Sequence, residues 1–473
     1  MQARVTHQGR ASTRRTSVIT MTTSTGQISL RPYQQNAAEL LARSLTNNNV
    51  AVDLSDTGLG KTFHALGAVS HFDVKFVVIC RAVSRHKWKK AVVDFGLDDK
   101  CLAIDSYQKF TSGRHYRDLV VKQLMGRGAS YSWRPSESTI VIFDEVQDAG
   151  GQNSLNSQLL IGASRCPNVY PLCLSATVAD SPLKLKALGF CTGMHTLTNY
   201  FAWAMDHGCG KSPFGYNQLY FKTGQRKEVI GRLHSHLIPK YGLRVKREEV
   251  QEFMPEETIE IELWDVGKRP HSGPIFEALE RLEEIREEDL DRHEDGTPSS
   301  VETMRDRQEA ELRKIPALVN EVTGAVESGL YVAIFLNFTA SIDALKKWLD
   351  TESIHAGIFD GRDIRQRELD HAYFQSGQLK VLILQSQAGS AAIDLHDTEG
   401  GRPRCTFISP TYHAETMLQM LGRATRFGAK SPVLQRICFA EGTIEERVYR
   451  VAALKCENIR ALNDGLWASG FGG

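Results

Sequence analysis

No stretch of this 473-residue chain approaches the roughly 18 consecutive apolar residues that a membrane-spanning helix needs. A helical membrane protein is therefore not expected. No cysteine pair is spaced C-x-x-C, and the nine cysteines are scattered without metal-ligand spacing. That argues against a zinc or disulfide framework and for free buried thiols in a reducing compartment. An excess of either charge is also lacking: 57 Lys and Arg face 56 Asp and Glu, for a formal net charge of +1. Any polyanion partner must then be met by local basic patches. Before Glu39 there is no acidic residue, whereas Arg4, Arg10, Arg14 and Arg15 lie among Ser and Thr. Such a leader has the composition of an organelle transit peptide, yet it has no clear apolar helical face. It is read as a disordered basic tail over 1–27, with Met21 as an alternative start. The length sets an expectation of two or three domains, and 41% hydrophobic with 24% charged residues is ordinary for a globular chain.

What is present is a rhythm. Between about 28 and 177, short apolar runs alternate with helix-like segments, the pattern of a parallel sheet built from strand–helix–strand units. Val50 to Leu54, Phe76 to Cys80, Thr139 to Phe143 and Pro171 to Leu174 are apolar on consecutive positions, as expected of strands covered on both faces. The rhythm stops after that. Asn199 to Lys222 reads as an irregular insertion, and Ile275 to Arg313, dense in Glu and Arg, as helices with a turn at Asp295 to Pro298. Val332 to Leu336, Val381 to Leu384 and Cys405 to Ile408 then restart the alternation. The fold class expected is α/β, with two parallel-sheet lobes. Lobe one spans 28–180, an irregular insertion and helical linker 181–329, lobe two 330–460, and a flexible tail 461–473.

Ser55 to Thr62 reads Ser-Asp-Thr-Gly-Leu-Gly-Lys-Thr and follows the first strand. A Gly-rich turn that opens a helix offers backbone N–H groups and a helix dipole to an anion. Gly58 and Gly60 let the backbone wrap a phosphate, Lys61 supplies charge to it, and the Thr62 hydroxyl is placed for Mg2+. Ser55 stands at the first Gly of the generic pattern. Asp144-Glu145 follows a buried strand, so both carboxylates should lie at the carboxyl edge of the same sheet. Asp144 is then the candidate Mg2+ ligand, and Glu145 the group that polarises the attacking water. Ser175-Ala-Thr177 ends the next strand and could couple those carboxylates to lobe two. Far downstream, Gln419 to Arg426 reads Gln-Met-Leu-Gly-Arg-Ala-Thr-Arg, with Arg423 and Arg426 able to face the same phosphates from the second lobe. Arg81, Arg85, His86, Lys87, Lys89 and Lys90 form a basic cluster with Trp88 among them; Trp88 is read as core.

Taken together these segments resemble the superfamily 2 helicases and translocases, more narrowly their Snf-type branch and its compact phage and viral relatives. Leu30 to Gln34 is similar to that branch's upstream adenine-reading motif, Val78 to Trp88 to its motif Ia with Arg81 where Pro is usual, and Asp105 to Gln108 to its S-Y-E segment. Asp144 to Gln147 stands for the D-E-x-H box with Gln for His. Arg244 to Leu263 resembles the linker before the second lobe, Ile334 to Phe338 motif IV, Ala388 to Leu395 motif V, Gln419 to Arg426 motif VI, and Gly442 to Arg447 the helix start that follows. Ala392 and Asp394 depart from the usual Gly and Asn.

The resemblance covers residues 28 to 455 in unbroken order and implies two RecA-like lobes with ATP and Mg2+ between them. It implies that Arg31, Gln34, Thr57, Gly58, Leu59, Gly60, Lys61, Thr62, Asp394 and Gln419 bind ATP. Lys61, Asp144, Glu145, Gln147, Arg423 and Arg426 would be catalytic, and Ser175 and Thr177 coupling. Arg81, Lys87, Gln387 and Ser390 are candidate nucleic-acid contacts. The expected partner is nucleic acid, DNA favoured over RNA, bound without sequence preference. An RNA helicase, a weakly hydrolysing scaffold and a restriction-type motor are the alternatives; the last would need a partner, since no nuclease cluster of carboxylates and Lys is evident. The expected location is cytoplasm or nucleoid, or the host cell if the chain is viral.

Overall fold

The computed structural model describes residues 30–464, apart from 127, 180, 212–218, 222–225, 268–277, 280–299, 390–392 and 427. Two six-stranded sheets organise it, and every strand pairing within them is parallel. The first runs in the order Gly242–Leu243, Ala51–Asp53, Val169–Leu174, Thr139–Asp144, Lys75–Cys80, Cys101–Ser106. The second runs Glu257–Trp264, Val433–Ala440, Arg404–Ile408, Tyr331–Leu336, Val381–Gln385, Ala356–Phe359.

The runs without polar breaks are explained by their two covered faces. Val77, Ile79, Val141 and Phe143 enter one buried cluster, while their neighbours Phe76, Val78, Ile140 and Ile142 enter the cluster on the other face. The second sheet repeats this: Val332, Ile334 and Ile383 face one way, Ala333, Phe335 and Leu384 the other. Alternate side chains of a strand point to opposite faces, so a strand between two helical layers must be apolar at every position. The α/β class with two parallel lobes is what the molecule has.

The stretch between the lobes differs from its expected description. Tyr200–Asp206 is a helix whose Tyr200 and Trp203 are buried in the first lobe's core, and Cys209–Lys211 pairs antiparallel with Leu219–Phe221. Two of the aromatics read as irregular, Tyr200 and Trp203, are thus one apolar helical face at i, i+3 spacing. Gly242–Leu243 adds an edge strand to the first sheet, and Glu257–Trp264, expected as linker, pairs along its whole length with Val433–Ala440. Its Ile–Glu alternation is that of an edge strand: Ile259, Ile261 and Leu263 are exposed, while Glu260 and Glu262 face Arg436. The helical expectation holds for Ser300–Glu327, which packs on the second sheet. The turn at 295–298 and the tail 1–27 lie outside the described residues. Helix runs through Asp464, so the described part of 461–473 is helical.

Candidate active site

The strand Ala51–Asp53 ends in the loop that opens helix Lys61–Ser70. Gly58 and Gly60 both take left-handed backbone, at φ 82° and 88°, a region glycine enters without Cβ strain. The Lys61 ammonium curls over the loop, donating to the carbonyls of Ser55 at 2.8 Å and Asp56 at 3.0 Å. Burial pulls its pKa down, against the pull of Asp53, Glu145, Asp56 and Asp144. Beneath the loop, Asp53 is fully buried; it accepts from Ser55 N at 2.9 Å and faces His64 Nδ1 at 2.8 Å. Gln34 is buried with its amide against Gly60, and the Tyr33 hydroxyl donates to Leu59 O at 3.2 Å. Arg31 begins that segment and lies over the Phe253 ring, 5.6 Å from its centroid. Thr62 follows Lys61 in the first helical turn.

Two strands away, Asp144 closes its strand and Glu145 turns the chain with φ 52° and ψ 56°, a strained conformation for a residue with a Cβ. The Trp88 indole N–H donates to Asp144 Oδ2 at 2.8 Å, so Trp88 is core and also holds a carboxylate. Burial, with Glu145 next to it, pushes Asp144 up to about 6. Burial works on Glu145 in the same direction but is outweighed by Arg81, the Gln147 amide, Lys61 and Arg423, which leave it below the usual carboxylate range. Gln147 donates to Glu145 Oε2 at 2.5 Å and accepts from the Ser175 hydroxyl at 2.6 Å; Ser175 Oγ in turn accepts from Thr177 N at 2.9 Å. Gln147, at the usual His position, thus links the carboxylate to the Ser175–Thr177 turn.

The second lobe reaches this edge through helix Ala414–Ala424. Its Gly422 abuts the loop so closely that an added Cβ would lie 2.2 Å from Thr57 Oγ1. Gln419 Nε2 points at Glu145 Oε2 at 3.5 Å. Arg423 is buried, its Nη1 3.5 Å from Ile393 O. Burial and the neighbouring Arg426 disfavour its charge, which Glu145 and Asp394 support. Arg426 lies against Gly58 and pairs with Asp394. Asp394 also takes Lys87 across the lobes at 2.6 Å, and these cations outweigh burial to hold its pKa far down.

The structure therefore brings the loop, the Asp144–Glu145 pair, Gln147, Ser175, Gln419, Arg423 and Arg426 to one seam. Two candidate nucleic-acid contacts are placed otherwise. Arg81 forks onto Asp148 and reaches Gln419, and Lys87 pairs with Asp394. Each already meets a carboxylate at the seam. Gln387 lies in the short helix Ser386–Gly389; Ser390 and Ala392 lie outside the described residues.

Three residues at the seam were not singled out by the motifs. Arg244 donates to Leu54 O at 2.6 Å and Asp56 Oδ1 at 2.9 Å. Arg247 reaches Thr57 O and Thr425 O, each at 3.3 Å, and pairs with Glu257. Asp148 receives the Arg81 fork. Their signal was faint: single charges in a segment read as linker, and an Asp one residue beyond a motif.

No protein-family model matches the chain. A protein of Acanthamoeba polyphaga mimivirus, named as an ATP-dependent RNA helicase, is 28% identical over 466 residues, covering 92% of this chain and 84% of its own length. The mouse chromodomain-helicase-DNA-binding protein 1-like is 22% identical across 93% of this chain and 50% of its own length. A Mycoplasma pneumoniae ATP-dependent helicase is 23% identical, over 91% and 42% respectively. Relatives across the length of the chain are thus named as ATP-dependent or chromodomain helicases, consistent with a superfamily 2 helicase. The chain spans most of the mimivirus protein but half or less of the mouse and Mycoplasma relatives. Among the described residues no helix is long and apolar enough to cross a membrane.

Proposed function

We propose that the chain is an ATP-dependent nucleic-acid motor that hydrolyses ATP between its two lobes and translocates on or remodels duplex or forked DNA. The observation that carries this is the seam itself, where helix Ala414–Ala424 sits against the phosphate loop and hands Gln419 to Glu145. Lys61 and the helix N-terminus would bind the β- and γ-phosphates, with Gln34 and Arg31 toward the base. Glu145, held anionic by its donors, orients the attacking water. Arg423 and Arg426, arriving from the other lobe, meet the charge that develops on the transferred group, a contribution of roughly 10³–10⁵ in rate for arginines so placed. The Thr62 hydroxyl and Asp144 are hard oxygen donors that suit Mg2+, and the raised pKa of buried Asp144 fits a site that takes on a cation. Thr62 and Asp144 would hold that ion, which would supply positive charge against the phosphates. Closure of the lobes would assemble the site, and loss of the γ-phosphate contact would release it.

DNA is favoured because relatives are named as a chromodomain-helicase-DNA-binding protein, a chromatin remodeling factor and a DNA repair protein. The RNA reading rests on the name of the mimivirus relative. ATP turnover is to be measured with no nucleic acid, single-stranded DNA, duplex DNA, forked DNA and RNA. Stimulation by the DNA forms supports the reading. Stimulation by RNA alone replaces it, and flat turnover in all five favours a nucleotide-gated scaffold.

A further inference from the structure

Arg81 uses three donors at once. Its Nε and Nη2 each meet one oxygen of Asp148 at 2.8 Å, and its Nη1 donates to Gln419 Oε1 at 3.0 Å in the other lobe. That third bond decides how the Gln419 amide lies. With its carbonyl taken by a cation, its N–H group is turned to Glu145 Oε2. Glu145 is thereby addressed by two amides, Gln147 from its own lobe and Gln419 from the opposite one.

We propose that Arg81 is a positioning residue for hydrolysis: anchored by Asp148, it orients Gln419 so that lobe closure delivers an amide N–H to the catalytic carboxylate. The proposal rests on the ATP-site reading of Glu145 given above. Its parts are rigid where they need to be. Asp148 lies in the turn Val146–Ala149 that begins at Glu145, and Asn156 Nδ2 donates to its carbonyl at 3.1 Å. Arg81 directly follows strand Lys75–Cys80 and precedes the basic helix Arg85–Asp94. Displacement of that helix by a bound polyanion would therefore move the guanidinium that sets Gln419. Net attraction to Asp148 and Glu145 keeps Arg81 charged although burial opposes it. Lysine would not replace Arg81, because one ammonium cannot reproduce a planar fork and a third, separate bond.

The test compares Arg81→Ala, Arg81→Lys, Asp148→Asn, Gln419→Ala and the Arg81→Ala/Gln419→Ala double variant, using forked DNA as the stimulating probe. The stimulated kcat should fall about tenfold in each single variant, the size of one lost charge-assisted hydrogen bond. The KM for ATP should stay within about twofold in the Arg81 and Asp148 single variants, where uniform binding is untouched. The double variant should be no slower than the slower single one. Multiplying effects, or Arg81→Lys at wild-type rate, would overturn the proposal. Should Arg81→Ala fold poorly, Gln419→Glu decides. It keeps an acceptor for Arg81 but removes the N–H facing Glu145, so a wild-type rate there overturns the proposal as well. Failure of the underlying reading looks different: Lys61→Ala would then retain turnover.

Discussion

The two lobes share one sheet architecture but finish their carboxyl edges in opposite ways. Lobe one ends in buried acids that each have a partner within the lobe: Asp53 in Ser55 and His64, Asp144 in Trp88, Glu145 in Gln147. Lobe two ends in long arginines and an amide: Gln419 meets Glu145 across the seam, whereas Arg426 pairs with Asp394 of its own lobe, which also takes Lys87 of lobe one. Short acids held by packing keep their geometry whatever the other lobe does. Long arginines and glutamines on a helix are placed by where that helix docks. On the proposed function, one lobe would hold a preformed half-site and the other would supply what arrives on closure, switching on charge stabilisation.

The sharpest break in that contrast comes from the preformed half. Lys61→Ala should reduce nucleic-acid-stimulated turnover by about 10³-fold or more, since it removes the charge held at the loop; steady-state hydrolysis with forked DNA measures it. Arg423→Ala should cost about 10²–10³ in kcat while ATP binding, followed by a fluorescent analogue, is kept. Normal hydrolysis in that variant would mean that the arriving half is not catalytic. Gly422→Ala probes the docking itself. The new methyl meets Thr57 Oγ1 and Cβ, at 2.2 and 2.6 Å, so the helix must back away. A loss of about tenfold to a hundredfold in kcat with little change in thermal stability is expected, because angstrom displacements cost rate first. Adding Thr57→Gly should restore part of it. Ser175→Ala, within lobe one, should lower stimulated turnover by about threefold to tenfold through a freed Gln147 amide.

The smallest effect is one of pH. Burial at the seam and the nearby arginines, against the pull of Asp394, press Lys87 down to about 8. Its cross-lobe ion pair is therefore present below that pH and fades above it. Stimulated turnover should drop by about twofold between pH 7.5 and 9, and Lys87→Arg should flatten the drop, because a guanidinium keeps its charge there. An unchanged slope in Lys87→Arg would remove Lys87 from the account.

How much of this was legible in the chain depends on how far the partners are apart. The phosphate loop and Asp144-Glu145 announce themselves because strand, turn and helix cues all lie within a few residues of the chemistry. Gln147 as a link to Ser175 could be suspected from position alone. The fork of Arg81 on Asp148 could not, because nothing in either residue's neighbourhood names a partner dozens of positions away. Gly422 reads as a motif glycine; only the packing against Thr57 shows why a side chain is excluded. The Glu257–Trp264 strand was misread because its apolar residues face outward on an edge, which breaks the rule that burial follows hydrophobicity.

The chain between the two sheets, residues 244–256, carries Arg244 and Arg247, which hold Asp56 and the Thr57 carbonyl. The pivot of any lobe motion is therefore fastened to the phosphate loop rather than placed beside it. A lever with its fulcrum at the reaction centre moves least there and most at the far rims of the lobes. A slight change of angle around the loop would be magnified into a stride along whatever lies across those rims.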